Sequence, residues 1–240
     1  CKISTTTESS IIWYRTTPEY ADSLCSETSD PFIVLMIMPA IQTGEEIYVD
    51  GLISKDTFFN LTNRVIPLLS SVYQTNGIKI HAKQIIDITY SPTHLGCGCS
   101  LGVDSLSAIY RYISSHVPKP FQLTCLTYFN IGALGENDFN SAHESFANCL
   151  KLVQSFADTI SLPLVTLESN SSLLFKDFDF EQTHSIRNVA AVMCIQKMMK
   201  VYYYASSYPM SELHLNSTSM SFYILYYSQC CQPSLYLFLS

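Results

Sequence analysis

The stretch Ser100-Leu101-Gly102-Val103-Asp104-Ser105 places two hydroxyls, a glycine and a carboxylate between an apolar run and a helical run. Leu95 to Cys99 are small or apolar and suit a short buried strand. Leu106, Ile109, Tyr110 and Ile113 recur at helical spacing, so a helix starting near Asp104 turns the unpaired N–H groups of its first turn back towards the loop. Such a helix start is an anion site, suited to phosphate. Ser100 and Ser105 add hydroxyl donors, and Gly102 lets the backbone approach an oxyanion closely. Asp104 either holds a magnesium ion or orients the loop. Without its surroundings, the same hexapeptide reads equally well as a strand-to-helix turn in which Asp104 or Ser105 caps the helix.

The elements around the loop favour the first reading, because they alternate as in a parallel sheet with crossover helices. Gln122 to Phe129 reads as a buried strand. Phe139 to Thr159 carries Phe139, Ala142, Phe146, Leu150, Val153 and Ala157 at helical intervals. Leu164 to Leu167 is a further short strand, Thr183 to Val201 a helix through Ile186, Ala190, Met193 and Met198, and Tyr202 to Ala205 the next strand. The fold class expected is α/β, a Rossmann-like parallel sheet with flanking helices, whose ligands sit beyond the carboxyl ends of the strands. A small α+β lobe over residues 1–90 is expected to precede this sheet domain, at 91–216, which would be the nucleotide-binding domain if the loop grips phosphate. In that lobe, Phe32 to Ile41 leans towards strand by its length and β-branched content, and EEIYVDG is strand-like. Lys55 to Tyr73 is helical, and Ile78 to Ile86 is another strand.

The loop resembles the SGGxDS pyrophosphate-binding loop of the adenine nucleotide alpha-hydrolase, or PP-loop, superfamily, with Leu101 where the usual pattern has a second glycine. Further pieces resemble one bacterial branch of that superfamily associated with surface-polysaccharide gene clusters. They are DPFIVLMIMPAIQTGEEIYVDGLIS (Asp30 to Ser54), TYFNIGALG (Thr127 to Gly135), LPLVTLESN (Leu162 to Asn170), HSIRNVAAV (His184 to Val192) and YYYASSYP (Tyr202 to Pro209). The resemblance implies a HUP-like fold and an ATP site with Mg2+ at Asp104. Ser100, Leu101, Gly102, Val103, Asp104 and Ser105 would grip the phosphates, and Asn130 and Gly132 would contact the nucleoside. Ser169, Asn170 and Ser206 complete the candidate binding set, each standing equally well as a turn residue. Asp104, Ser105, His184 and Arg187 are the candidate catalytic residues. Arg187 would pair with a phosphate and His184 act as donor or general base, or the two form a surface ion pair or helix cap.

Composition sets limits on the partners. The chain has 240 residues, 14% of them charged and 48% hydrophobic, which describes a packed domain. A net charge of -7 without a Lys or Arg cluster argues against nucleic acid. No apolar run approaches the roughly 20 residues of a membrane span. Nine cysteines show no zinc-ligand spacing: Cys97 and Cys99 share one side of a strand, and Cys125, Cys149 and Cys194 fall in expected core elements. With no signal peptide, the expected location is cytoplasmic and reducing. Cys1 is followed by KISTTTESS, unlike the surroundings of an amidotransferase nucleophile, and the missing initiator Met points to a trimmed start. Ser221 to Leu237 is apolar without clear periodicity, and residues 217–240 are expected to be irregular. A reading-frame slip would account for that tail, since codons read one base earlier over Tyr226 to Leu235 permit LLFPMLSTES. The expected function is adenylation of a small-molecule or glycan-related acceptor by ATP with release of pyrophosphate. The alternatives are a non-catalytic nucleotide-binding module and a structural remnant of a larger enzyme.

Overall fold

A computed structural model describes residues 1–5, 8–133, 139–205 and 236–239. The chain opens with an antiparallel hairpin of β1 (Lys2–Ser4) and β2 (Ser9–Ile11), then β3 (Tyr14–Thr16). Helix α1 (Asp30–Thr43) leads to β4 (Ile47–Ser54), and α2 (Lys55–Asn60) and α3 (Ile66–Tyr73) to β5 (Ile80–Ile86), which pairs parallel with β4. There follow β6 (His94–Gly98), α4 (Val103–Ile113), β7 (Cys125–Asn130), α5 (Phe139–Thr159), β8 (Leu164–Ser169), α6 (Phe180–Cys194), β9 (Met199–Tyr204) and β10 (Tyr236–Leu239).

The main sheet runs β10-β9-β6-β7-β8-β3, parallel throughout except for β3, which lies antiparallel on the edge of β8. This mixed α/β, mostly parallel sheet is compatible with a Rossmann-like arrangement. From β6 the chain moves outward through β7 and β8, then returns to place β9 on the other side of β6. Chain order therefore reverses between β6 and β9, and in such sheets the crevice at that reversal takes the ligand.

Strand alternation divides the core between the two faces of the sheet. Leu95, Cys97, Leu126, Leu164, Val201 and Tyr203 face α4 and α5, meeting Ala108, Ile109, Val153 and Ala157. Cys125, Val165, Leu167, Met199 and Tyr202 face the other way, onto α6 and α1. The hydrophobic cluster on that second face continues without a break through α3, β4 and β5.

Several elements differ from the sequence reading. Phe32 to Ile41 is not a strand but the middle of α1. Pro31 stands in the first turn, Gly44 closes the helix with a left-handed backbone (φ 73°), and Val34, Leu35, Ile37, Met38 and Ile41 are all buried. A helix apolar all round carries no clear period, which is why its β-branched residues mislead. The Lys55 to Tyr73 stretch is helical, but residues Leu61–Val65 form a π turn in which Ile66 N–H reaches Leu61 O. Pro67 lacks the N–H that would close the next α-turn, and the wider turn absorbs that loss. Helix α6 starts earlier and stops at Cys194, because Met199 to Val201 pair with His94 and Leu95 as sheet. In α4, Tyr110 points outward, and Tyr112 turns in to stack on Tyr203 with ring centroids 3.7 Å apart. Cys149 is exposed rather than core, whereas Cys97, Cys99, Cys125 and Cys194 are buried. Burial pushes the Cys97 and Cys125 thiols up to about 12. Tyr236–Leu239, expected to be irregular, forms β10; most of the Ser221 to Leu237 run lies outside the described residues.

Candidate functional site

The Ser100–Ser105 loop leaves the carboxyl end of β6 at the point where strand order reverses. Leu101 has a left-handed backbone (φ 60°), the conformation for which glycine is the natural residue, and a leucine there carries strain of roughly 1–2 kcal/mol. Gly102 is extended (φ -77°, ψ 162°) and, as the cap residue of α4, has no side chain to bond the first-turn N–H groups. A Cβ at Gly102 would sit 3.3 Å from Ser100 Oγ, so closeness to Ser100, not backbone angle, makes glycine fit. The hydroxyls form a chain inside the loop. Gly102 N–H donates to Ser100 Oγ (3.4 Å), Ser100 Oγ to Ser105 Oγ (3.2 Å) and Ser105 Oγ to Gly102 O (2.9 Å). Val103 and Asp104 are exposed on the first turn of α4.

Beside the loop is a cavity of about 470 Å³, within the range of small-molecule sites. Its floor is the ends of β6, β7 and β9, with Ser100, Leu101 and Ser105 on one side and α5 and α6 on the others. Tyr128, Phe129, Phe180, Tyr202 and Tyr204 make much of the wall, and among the described residues no Lys, Arg, Asp or Glu lines it. Tyr202 Oη is 2.8 Å from Thr127 Oγ1, and burial raises the Tyr202 hydroxyl well above its ordinary value. Tyr128 is likewise pushed up to about 12 by burial and the neighbouring Cys149 thiol. These phenols stay protonated and serve the cavity as hydrogen-bonding groups, not bases.

The other candidate residues are dispersed. His184 stands behind the wall, its Nδ1 2.8 Å from Tyr204 Oη, so Tyr204 is the member of that pair that faces the cavity. Burial, with a smaller contribution from Arg187, lowers the His184 pKa against the opposing pull of Glu181, which keeps the ring neutral at neutral pH. Arg187 is 0% exposed. Its Nη1 donates to Ile131 O (3.2 Å), and its guanidinium lies 4.5 Å from the Phe175 ring centroid and 5.3 Å from that of Phe180. It holds the turn after β7 from below and does not line the cavity, unlike a surface ion pair or phosphate clamp. Gly132 has φ 116°, which only glycine adopts readily, in that same turn. Asn130 is buried and donates to Glu168 Oε2 (3.3 Å). Ser169 Oγ accepts from Ser171 N–H (3.0 Å). Asn170 accepts from Trp13 N–H (3.0 Å) and donates to Ile11 O (2.8 Å), tying the amino-terminal strands to the sheet. Ser206 and Ser207 lie outside the described residues.

Sequence reasoning missed one cluster. Arg15 Nε and Nη2 donate to Glu168 Oε1 (3.2 and 3.0 Å), and His143 Nδ1 lies 2.7 Å from Glu168 Oε2. The three residues are far apart in the chain and meet only because β3 joins the edge of β8 and α5 starts over the same end of the sheet. Among the described residues no group of three or more His, Cys, Asp or Glu is placed to hold a metal, and no helix is long and apolar enough to cross a membrane.

Comparison with protein-family models, with curated proteins and with solved structures returns no match for this chain.

Proposed function

We propose that the chain is an ATP-binding protein of the PP-loop type, with a HUP-like sheet, that adenylates an acceptor and releases pyrophosphate. The observation that carries this reading is the position of the Ser100–Ser105 loop, at the reversal of strand order and against a cavity of about 470 Å³. A cavity that is aromatic and free of charged side chains among the described residues suits the nucleoside, and the first turn of α4, with glycine as its cap, suits the phosphates. Ser100 and Ser105 exchange their bonds within the loop for bonds to phosphate oxygens. Tyr204, braced by His184, donates to the ligand from the opposite wall. Asp104 is a single exposed carboxylate, which fits Mg2+, an ion that keeps several waters and shares its remaining positions with phosphates. When bound, the ion neutralises charge on the polyphosphate.

A second reading is a nucleotide-binding module without catalysis. It is favoured by the strained Leu101 and by the absence of charged side chains from the described cavity wall. Turnover separates the two. On the first reading, Mg-ATP yields AMP and pyrophosphate, and Ser100→Ala or Asp104→Ala abolishes release while leaving the circular dichroism spectrum unchanged. Turnover unaffected by both substitutions contradicts the assignment. Binding without turnover supports the second reading, and a folded chain that takes up no nucleotide leaves only a structural remnant.

A further inference from the structure

The cavity straddles the carboxyl edge of the sheet and has two unlike sides. Leu101, Tyr128 and Val153 line it on the side of α4 and α5, and Phe129, Tyr202, Tyr204 and Asn188 on the side of α6. Among the described residues, Asn188 is the only lining side chain whose polar atoms have a fixed hydrogen-bonding sense. The other polar side chains are hydroxyls and thiols, which turn to donate or to accept. At Asn188 the sense is set by one bond. Nδ2 donates to His184 O, one turn earlier on α6 (2.8 Å), and that carbonyl can take only the NH₂ end of the amide. Asn188 makes no other hydrogen bond among the described residues, and it is half-buried where it lines the cavity. Its Oδ1 is therefore left as an acceptor for whatever the α6 side of the cavity holds.

The same side offers flat apolar surface. The Phe129 and Tyr202 rings are near-parallel, 11° apart in plane with centroids 6.3 Å apart, and suit a planar group. A ring that bears an amino group meets both demands, because its faces pack on the aromatic wall and its N–H donates to Oδ1. A 6-aminopurine carries that N–H. A 6-oxopurine puts a carbonyl oxygen at the same place, so two acceptors face each other and Asn188 loses its bond.

We propose that Asn188 selects the base of the nucleotide: Oδ1 accepts from the exocyclic amine of a 6-aminopurine and discriminates against 6-oxopurines. The proposal deepens the nucleotide reading above and rests on it, with the base on the α6 side of the cavity and the phosphates at Ser100–Ser105. A selecting residue differs from a structural one in its signature. Removing the acceptor penalises only nucleotides that carry the amine, whereas damage to the wall weakens every nucleotide alike.

The test is calorimetric titration of the wild-type chain and of Asn188→Leu with three magnesium nucleotides: ATP, ITP, which has oxygen in place of the amine, and purine riboside triphosphate, which has neither. The wild-type chain is expected to bind ATP about 10–100-fold more tightly than ITP, with purine riboside triphosphate between them. In Asn188→Leu, ATP affinity is expected to fall to that of purine riboside triphosphate, whose own affinity is unchanged. A wild-type chain that binds ATP and ITP equally tightly overturns the proposal and leaves the nucleotide site standing. ATP and purine riboside triphosphate weakening together in a folded Asn188→Leu also overturns it, since Asn188 is then structural. If circular dichroism shows Asn188→Leu unfolded, the wild-type series decides: preference for ATP over both analogues supports the proposal, and no preference overturns it. A folded wild-type chain that takes up none of the three overturns the nucleotide reading and the proposal with it.

Discussion

Leu101 and Asn170 show how differently two residues of the same candidate set are used. Leu101 has a left-handed backbone (φ 60°), a conformation that glycine adopts without strain. Its side chain packs partly against the core under α4, and Leu101→Gly exchanges that contact for relief of strain. The two effects offset, so unfolding free energy is expected to change by less than about 1 kcal/mol, whereas Leu101→Val, β-branched at positive φ, is expected to cost about 1–2 kcal/mol. Denaturant titration checks the contrast, and equal stability of the two variants would contradict the left-handed assignment. Asn170 spends both ends of its amide on Trp13 and Ile11. Asn170→Ala is expected to cost about 1–3 kcal/mol and to speed amide exchange in β1, β2 and β3, without weakening nucleotide binding. Loss of Mg-ATP affinity at unchanged stability would instead make it a ligand contact. The hexapeptide was legible because its residues are contiguous. Arg15, His143 and Glu168 were not, since no local pattern records a pairing of β3 with β8.

Among the elements, α1 departs furthest from its sequence reading, and Asp30 explains how its start is fixed. Asp30 is buried, and its two oxygens accept from Ser54 N–H (2.9 Å) and Thr57 Oγ1 (3.0 Å), joining the helix to the β4–α2 junction. Burial raises its pKa, against the lowering effect of the bonds from Ser54 and Thr57. A carboxyl group whose folded pKa is raised stabilises the fold fully below its unfolded value, and that contribution is lost as pH rises through the folded value. Asp30→Asn mimics the protonated form. Its gain in stability over the wild type should therefore be present at pH 7 and vanish as pH falls below about 4, the unfolded carboxylate value. A variant destabilised at pH 7 would show that the hydrogen bonds to the charged form outweigh burial. In contrast, α5 was legible to the residue, because its stripe separates one buried face from solvent. The boundary between α6 and β9 was not, because Ile186 to Tyr203 are buried except for Asn188, Lys197 and the exposed Lys200, and so dense a buried run has no period to mark where helix gives way to sheet.

The whole molecule follows from one ordering of strands. The alternation of strands and helices after residue 94 was readable from periodicity, and it led to a parallel sheet with the loop at its carboxyl edge. The order β9-β6-β7-β8, which turns that edge into a crevice at the loop, lies in no local stretch of sequence and emerges from packing on both faces. Nor does the sequence show that the amino-terminal hairpin and α1 share a continuous core with α6 and β8, or that the cavity is aromatic and lacks charged walls among the described residues. The claim on which the rest depends is that this crevice holds a nucleotide with its phosphates on the Ser100–Ser105 loop. Calorimetric titration of Mg-ATP into the purified chain, with Asp104→Ala alongside, tests it most directly. Saturable one-site binding that Asp104→Ala weakens at least 10-fold is the expected result, and a folded wild-type chain that takes up no Mg-ATP would contradict it.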